Sequence, residues 1–251
     1  ISKRATSTYS DLDKKCDETA EYIRHGLYCL LQIAEVLRAD GERLAANIMQ
    51  YSNKSQLKDE DMHENFKLFY DDLVNPIDVN GALILRSDLS ASTGGGTDRD
   101  VDSKLVKSFW LPVFVKKKLT TKTKKYRFLP GACTSYIDLE DKGYDYIVDT
   151  CQYYNVYKSS EKYEIDDDVL TEHQKYFDND GKNIRSIFSI LMKYRDQKIG
   201  VITIHSTNSN FLGDDEHIKE LYYLMKPLVR LISEMFLAHN ELLEKRKLHK
   251  K

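Results

Sequence analysis

The chain has 251 residues, and its hydrophobic content of 41% is sufficient for a packed core. Its 38 Lys and Arg residues are nearly balanced by 40 Asp and Glu residues, so the net charge of -2 gives no overall attraction to nucleic acid or to anionic lipid. No segment approaches the run of about 20 apolar residues that spans a membrane, and the N-terminus shows no signal-peptide pattern.

An amphipathic helix is predicted over about residues 9–39. Ile23, Leu27 and Leu30 belong to an apolar stripe with steps of three and four residues, which marks one face of a helix. The stripe fits a helix packed on its own domain, and its heptad-like spacing also fits a helix that pairs with a second copy of the chain. The second interpretation predicts a homodimer formed through the terminal helices.

The helical steps continue through Leu44 and Ile48 after an Asp-Gly turn, and residues 59–74 show a third helical pattern. The first third of the chain is therefore predicted to be helical. We assign residues 1–75 to an N-terminal helical extension and residues 76–251 to the principal domain.

Strand patterns follow in the next part of the chain. Residues 79–87 and 108–115 are predicted strands, and residues 90–100 have the composition of a flexible loop. The lysine-rich residues 116–125 have the composition of a hairpin tip or of a nucleic-acid contact. We favour the solvated hairpin, because the net charge is negative and neither arginine nor an aromatic residue interrupts the lysine run.

A helix is predicted around residues 144–154, and the acidic residues 164–173 are typical of a helix start whose acids face the positive end of the helix. A metal site in the acidic segment is disfavoured, because its spacing matches no calcium loop. Residues 184–194 and 198–206 form a predicted pair of adjacent strands.

A long final helix is predicted from Asp215, with Asp214 as its N-cap. Pro227 lies inside this helix and predicts a bend. The order of elements indicates an α+β fold, with a central antiparallel sheet, helices packed on it, and long N- and C-terminal helices.

The four cysteines, Cys16, Cys29, Cys133 and Cys151, have no C-x-x-C spacing, which disfavours a zinc site or a redox pair. Two lie in apolar helical patterns, where cysteine is usually a small core residue. Reduced structural cysteines are therefore favoured over disulfides, and they indicate a cytoplasmic location.

The strand pair and the acidic helix start that follows it resemble the last third of a GAF domain. The resemblance covers residues 184–236, where I-G-V-I-T-I-H-S leads to N-F-L-G-D-D-E and an amphipathic helix, and it extends to residues 79–137 by element order alone. Residues 1–75 are not explained by it, and a PAS-like sheet is the competing interpretation. GAF domains are mainly small-molecule sensors or dimerisation modules.

The resemblance implies no particular ligand. Phe211, Asp215 and Glu216 match the second half of the cyclic-nucleotide signature of this family, but Ser206 and Thr207 stand where its Asn-Lys pair is expected. Nucleotide binding of that kind is therefore unsupported.

Other cofactors of the family are disfavoured as well. Cys151 is followed by Gln152 rather than by the His that often accompanies a tethered bilin, and the distant Cys133 and Cys151 do not suggest a sulfoxide reductase. His205 is the best-placed haem ligand, although a lone histidine at a strand end is more often structural. No cofactor is assigned.

The leading hypothesis is a regulatory or sensory GAF-like domain that binds a small molecule between its sheet and its middle helices and signals through its terminal helices. The alternative is a degenerate domain that serves as a dimerisation or protein-interaction scaffold. Catalysis is disfavoured, since no catalytic motif is found. The residues expected to line the ligand pocket, each of which also fits a core position, are Phe109, Phe128, Cys133, Tyr136, Tyr146, Ser189 and His205.

Overall fold

A computed structural model describes residues 2–36, 43–66, 79–94, 110–114, 129–138, 141–161, 165 and 167–249. These residues form an α+β fold in which helices cover one antiparallel sheet and a long helix lies at each end of the sequence. The fold class predicted from the sequence is confirmed at this level.

The sheet has six strands in the order β3-β2-β1-β6-β5-β4, and all neighbouring strands are antiparallel. The strands are β1 (Leu44–Asn53), β2 (Val79–Ser92), β3 (Trp110–Phe114), β4 (Tyr144–Ile147), β5 (Ser186–Tyr194) and β6 (Gln197–Ser206). The predicted strand pair near the C-terminus is confirmed as β5 and β6.

The described helices are α1 (Ser2–Val36), α2 (Asp59–Phe66), α3 (Ala132–Ile137), α4 (Tyr153–Lys158), α5 (Asp167–Asp178) and α6 (Asp215–His249). The two terminal helices, α1 and α6, pack against each other and against one side of the sheet, here called the helix face. The short helices α2 and α3 pack on the opposite side, here called the short-helix face.

The helix face holds the largest part of the core. Leu27 of α1, Phe236 of α6 and Ile204 of β6 are all at most 1% exposed, and burial of each such side chain contributes about 1.5–3 kcal/mol. A Cβ atom at Gly26 would lie 2.8 Å from Cγ1 of Ile232, so only a glycine permits the observed approach of α1 to α6. The predicted apolar stripe of the first helix is therefore buried within its own chain.

The start of α6 follows its sequence signals. The Asp214 carboxylate accepts hydrogen bonds from the backbone N–H groups of Glu216 and His217, at 3.1 and 3.0 Å, which confirms the predicted N-cap. Asp215 and Glu216 occupy the first turn, where acidic side chains complement the positive end of the helix. Pro227 lies inside the helix as expected, and the bend stays a prediction.

Residues 44–53 form β1 at the centre of the sheet, so the prediction of a helix for this segment was wrong. Leu44 and Ile48 are four residues apart, and an even spacing places two residues on one face of a strand as readily as on one face of a helix. Ala46, which lies between them, also faces the helix face, whereas Met49 belongs to the core of the short-helix face. This alternation is the period of a strand.

The helix predicted around residues 144–154 was also wrong in its first half. Residues Tyr144–Ile147 form β4, which pairs with β5, and α4 begins only at Tyr153. The acidic segment was predicted correctly as a helix start, since α5 begins at Asp167.

The predicted boundary at residues 75 and 76 and the lysine-rich residues 116–125 lie outside the described residues. Within the segment that the sequence assigns to a separate extension, α1 and β1 contribute to the same core as β5, β6 and α6. The four cysteines are all described, and all of them are free.

Candidate functional site

The short-helix face brings together four of the seven predicted pocket residues. Cys133 and Tyr136 lie on α3, Ser189 lies on β5 beneath that helix, and His205 lies near the end of β6. The Ser135 hydroxyl of α3 donates a hydrogen bond to the carbonyl oxygen of Ser189 at 3.0 Å, which fixes the helix over the strand.

The other three predicted residues do not join this group. Phe109 and Phe128 lie outside the described residues. Tyr146 lies on the helix face, where its ring packs edge-on against Phe188 and Phe211 and its hydroxyl accepts a hydrogen bond from the backbone N–H of Leu212 at 3.1 Å. Tyr146 therefore lies away from the predicted pocket. Successive side chains of a strand point to opposite faces of the sheet, and the side chain of Tyr146 points to the helix face.

A row of polar side chains crosses the centre of the short-helix face. Asn47 of β1, Thr203 of β6 and Ser189 of β5 are paired across adjacent strands, so their side chains lie side by side. His205 lies two residues beyond Thr203 on the same face of β6. We call Asn47, Thr203, Ser189 and His205 the polar row.

Thr203 connects the polar row by hydrogen bonds. Its hydroxyl donates to Oδ1 of Asn47 at 2.5 Å, and Nε2 of His205 lies 2.9 Å from the same hydroxyl oxygen. The hydroxyl proton is engaged with Asn47, and the same Nε2 atom of His205 also lies 3.4 Å from Nδ2 of Asn47. Asn47, Thr203 and His205 therefore form one connected group.

The polar row is neutral and largely removed from water. Asn47 and Thr203 are buried, and burial lowers the pKa of His205 to about 4, so that its ring stays uncharged at neutral pH. A neutral set of donors and acceptors at the centre of a sheet suits the polar groups of an uncharged small molecule better than those of an anion.

Ser189 carries the one hydroxyl of the polar row that makes no hydrogen bond among the described residues. It is fully buried, and its Oγ atom has no hydrogen-bond partner in the described part of the chain. A buried polar atom without a partner marks a place where a water molecule or a ligand atom is expected.

The loop before α3 approaches Ser189 closely. Gly131 adopts a φ of 85°, and its N–H donates to Oδ2 of Asp145 at 2.6 Å. A Cβ atom at this position would lie 2.9 Å from Cδ1 of Ile147 and 3.9 Å from the Ser189 hydroxyl. Both the left-handed conformation and the limited space therefore favour glycine here.

Neither Cys133 nor Tyr136 is prepared for catalysis. Burial raises the pKa of the Cys133 thiol to about 12, which suppresses the nucleophilic thiolate, and the thiol donates instead to the Pro112 carbonyl at 3.6 Å. Tyr136 stacks on Tyr51 with the ring centroids 4.4 Å apart, and burial raises the pKa of its phenol. Both side chains serve as walls of the face.

Asn47, Thr203 and Tyr51 were missed by the sequence prediction. Two of them lie on β1, which was predicted as a helix, so no face could be assigned to them. Thr203 could have been found, because it is two residues from His205 in a predicted strand and must share its face.

No protein family, no curated protein and no solved structure matches this chain. Within the described ranges, no helix is both long enough and apolar enough to cross a membrane. The same residues contain no group of three or more His, Cys, Asp or Glu side chains placed to hold a metal ion.

Proposed function

We propose that this chain is a regulatory module that binds a small, uncharged polar molecule at the polar row and responds through α1 and α6. The observation that carries the proposal is the buried hydroxyl of Ser189, which is without a partner among the described residues and lies beside Thr203 in the polar row. The resemblance of residues 184–236 to GAF domains supports the same face of the sheet as the ligand site.

The strands provide a physical connection between the two faces. Thr203 belongs to the polar row, while its neighbours Ile202 and Ile204 are buried in the helix-face core. A ligand that shifts Thr203 would also shift these neighbours against α1 and α6, because a strand moves as one backbone. A ligand with different affinities for two packings of the helices would bias their equilibrium.

Native mass spectrometry of the purified chain, compared with the same sample after denaturation, tests the proposal. We expect a mass excess in the native spectrum that disappears on denaturation, and we expect Thr203→Val to lose it. Thr171→Val is the matched control, because Thr171 lies on α5 and its hydroxyl only bonds the Asp167 carbonyl of its own helix.

A co-purified molecule that is retained equally by both variants would place the ligand elsewhere. A native mass without any excess, followed by no thermal stabilisation of the wild-type chain in a library of neutral metabolites, would contradict the proposal.

The second candidate function is a dimerisation scaffold, and an exposed stripe on α6 favours it. Leu224 and Leu231 are one heptad apart and are 58% and 51% exposed, and Tyr223 beside them is 56% exposed. Native mass spectra would show a dimer that Leu224→Glu with Leu231→Glu converts to monomer. Leu248→Glu, at an exposed leucine outside this pair, is the control, and a monomeric wild-type chain would rule the scaffold out.

A further inference from the structure

A cleft with a volume of about 280 Å³ lies between α1, α6 and β2. Its lining includes Arg24 of α1, Asp88 of β2, and His239 and Arg246 of α6. None of the four residues of the polar row lines it, so it is a separate place in the fold.

An irregularity in β2 builds one wall of this cleft. Ser90 pairs with Asn47 and Arg86 pairs with Ile48, so residues 87–89 have no counterpart in β1. The guanidinium of Arg86 holds the Asp88 carboxylate through two hydrogen bonds, from Nε to Oδ1 at 2.9 Å and from Nη2 to Oδ2 at 2.7 Å. The cleft wall is therefore fixed by a bidentate ion pair.

Two side chains that line the cleft carry buried nitrogens without hydrogen-bond partners among the described residues. In the described part of the chain, Arg24 is 2% exposed and its Nε atom makes no hydrogen bond, and His239 is 3% exposed and neither ring nitrogen makes a hydrogen bond of normal geometry, the Cys16 backbone being near the ring. The nearest acid to the His239 ring is Asp88, whose Oδ2 lies 4.0 Å from Nε2. Unpaired buried donors cost free energy, and their presence on two different helices around one cleft requires an explanation.

The guanidinium of Arg24 is held in place by the contacts of its two terminal nitrogens. Its Nη1 donates to the Asp88 carbonyl oxygen at 3.2 Å, and its Nη2 pairs with the Glu21 carboxylate. Arg246 stands nearby with its Nη1 3.3 Å from Oδ1 of Asp13. The unpaired Nε–H of Arg24 is therefore a fixed donor, and Arg246 is a second cation that the cleft can recruit.

The cleft is larger than the space of a single water molecule. One water molecule takes up about 30 Å³ of liquid volume, whereas the cleft offers about 280 Å³. Small-molecule sites begin at about 300 Å³, so the cleft suits a ligand of a few heavy atoms.

We propose that this cleft binds a small oxyanion, carrying a carboxylate or a phosphate-like group, that accepts hydrogen bonds from Arg24 Nε–H and from the His239 ring. Arg246 adds positive charge at the same ligand. Because Arg24 belongs to α1 and His239 belongs to α6, the anion bridges the two terminal helices. The proposal does not depend on ligand binding at the polar row.

Proton uptake accompanies this binding mode. Burial lowers the pKa of His239, the charges of Arg86 and Arg246 lower it further, and Asp88 and the Cys16 backbone act in the opposite direction. Asp17 and Arg24 of α1 line the same cleft. A bound anion favours the protonated ring, so anion affinity rises as the pH falls.

Sulfate and acetate are the probes for the experiment, since the sulfate charge is constant across the pH range used and the two anions differ in shape. We would titrate each into the full chain at low salt, at pH about 8 and about 6, and follow binding by calorimetry. The expected result is saturable binding that is tighter at the lower pH. Preference for sulfate indicates a phosphate-like ligand, and preference for acetate indicates a carboxylate.

Two pairs of variants locate the site. His239→Leu should weaken binding about tenfold or more, while His25→Leu, at an exposed histidine of α1, should leave binding unchanged. Arg246→Gln should weaken binding, while Arg230→Gln, at an exposed arginine of the same helix, should not. If His239→Leu fails to fold, Arg24→Lys is the substitute variant for the binding test, because it keeps the positive charge and removes the Nε–H.

Absence of saturable binding of both anions in the millimolar range would overturn the proposal. Binding that is equal in wild type, His239→Leu and Arg246→Gln would do the same, because it would place the anion outside this cleft.

Discussion

The polar row and the cleft between the terminal helices both bury polar side chains, but they treat those side chains differently. In the polar row, one hydroxyl of Thr203 joins Asn47 and His205 in a satisfied network, and only the Ser189 hydroxyl is left without a partner among the described residues. In the cleft, the His239 ring and Nε of Arg24 are unpaired among the described residues. A satisfied network stabilises the fold, whereas unsatisfied groups lower its stability and keep their binding capacity available.

This contrast predicts opposite responses to mutation. Removing the hub of a satisfied network leaves its neighbours unpaired, so stability falls. Removing an atom that already lacks a partner takes away a cost, so stability holds or rises.

The largest expected effect is the loss of stability in acid. The pKa of His205 is lowered to about 4 and that of His173 to about 3, both by burial, whereas an unfolded histidine titrates near 6.5. The unfolded chain therefore binds more protons below about pH 6.5, and the free energy of unfolding falls as the pH drops toward 4. For His205 alone the loss amounts to about 3 kcal/mol.

Urea unfolding of wild type and of His205→Gln between pH 7 and pH about 4.5 measures this contribution. The variant should show a shallower decline, because one titrating group is gone. His25→Gln provides the control at an exposed histidine, 59% exposed in its side chain. Parallel curves for wild type and His205→Gln would show that the ring is not held neutral by the fold.

The second largest effect is expected for Thr203, which connects Asn47 and His205 in the polar row. Thr203→Val keeps the shape of the side chain but removes the hydroxyl, so Oδ1 of Asn47 and Nε2 of His205 lose a partner together. We expect the free energy of unfolding to fall by about 1–3 kcal/mol. Chemical denaturation should show little change for the control Thr171→Val, whose hydroxyl bonds only within α5. An equal loss of stability in the two variants would show that Thr203 does not connect the polar row.

The third prediction is that a substitution in the cleft does not lower the free energy of unfolding. His239→Leu replaces a buried ring without hydrogen-bond partners in the described part of the chain by an apolar side chain of similar reach. We expect stability to be unchanged or to rise by up to about 1 kcal/mol. A thermal melt decides the point, and a marked loss of stability would mean that the ring nitrogens are paired in solution.

The smallest effect separates binding from stability. Arg246 is 33% exposed and pairs with Asp13, which is 51% exposed, so Arg246→Gln should change stability by less than about 0.5 kcal/mol. The same substitution is expected to weaken anion binding. A thermal melt without anion that shows a loss as large as that of Thr203→Val would assign Arg246 to the structural core instead of the cleft.

The sequence predicted the parts of the fold that repeat a simple period over many residues. The stripe through Ile23, Leu27 and Leu30 predicted α1, and the acidic start at Asp214 predicted α6. The strand β1 could not be recognised, because Leu44 and Ile48 satisfy both periods and the intervening polar Asn47 interrupts the apolar pattern.

The candidate site was predicted in part for the same reason. Ser189 and His205 lie on correctly predicted strands and share the short-helix face, whereas Tyr146 lies on the helix face in a strand that was predicted as a helix. The cleft was beyond prediction, since Arg24 and His239 are far apart in the sequence and the three unpaired residues of β2 have no recognisable pattern.

The close contact at Gly26 and Ile232 has a mechanical consequence. The two terminal helices have almost no space between them at this level, so they cannot be pressed closer there and can only tilt or slide. A tilt about a fixed contact moves the two ends of a helix in opposite directions. If the helices tilt, this contact is their pivot, and a displacement on one side of it would reach the other side with its direction reversed.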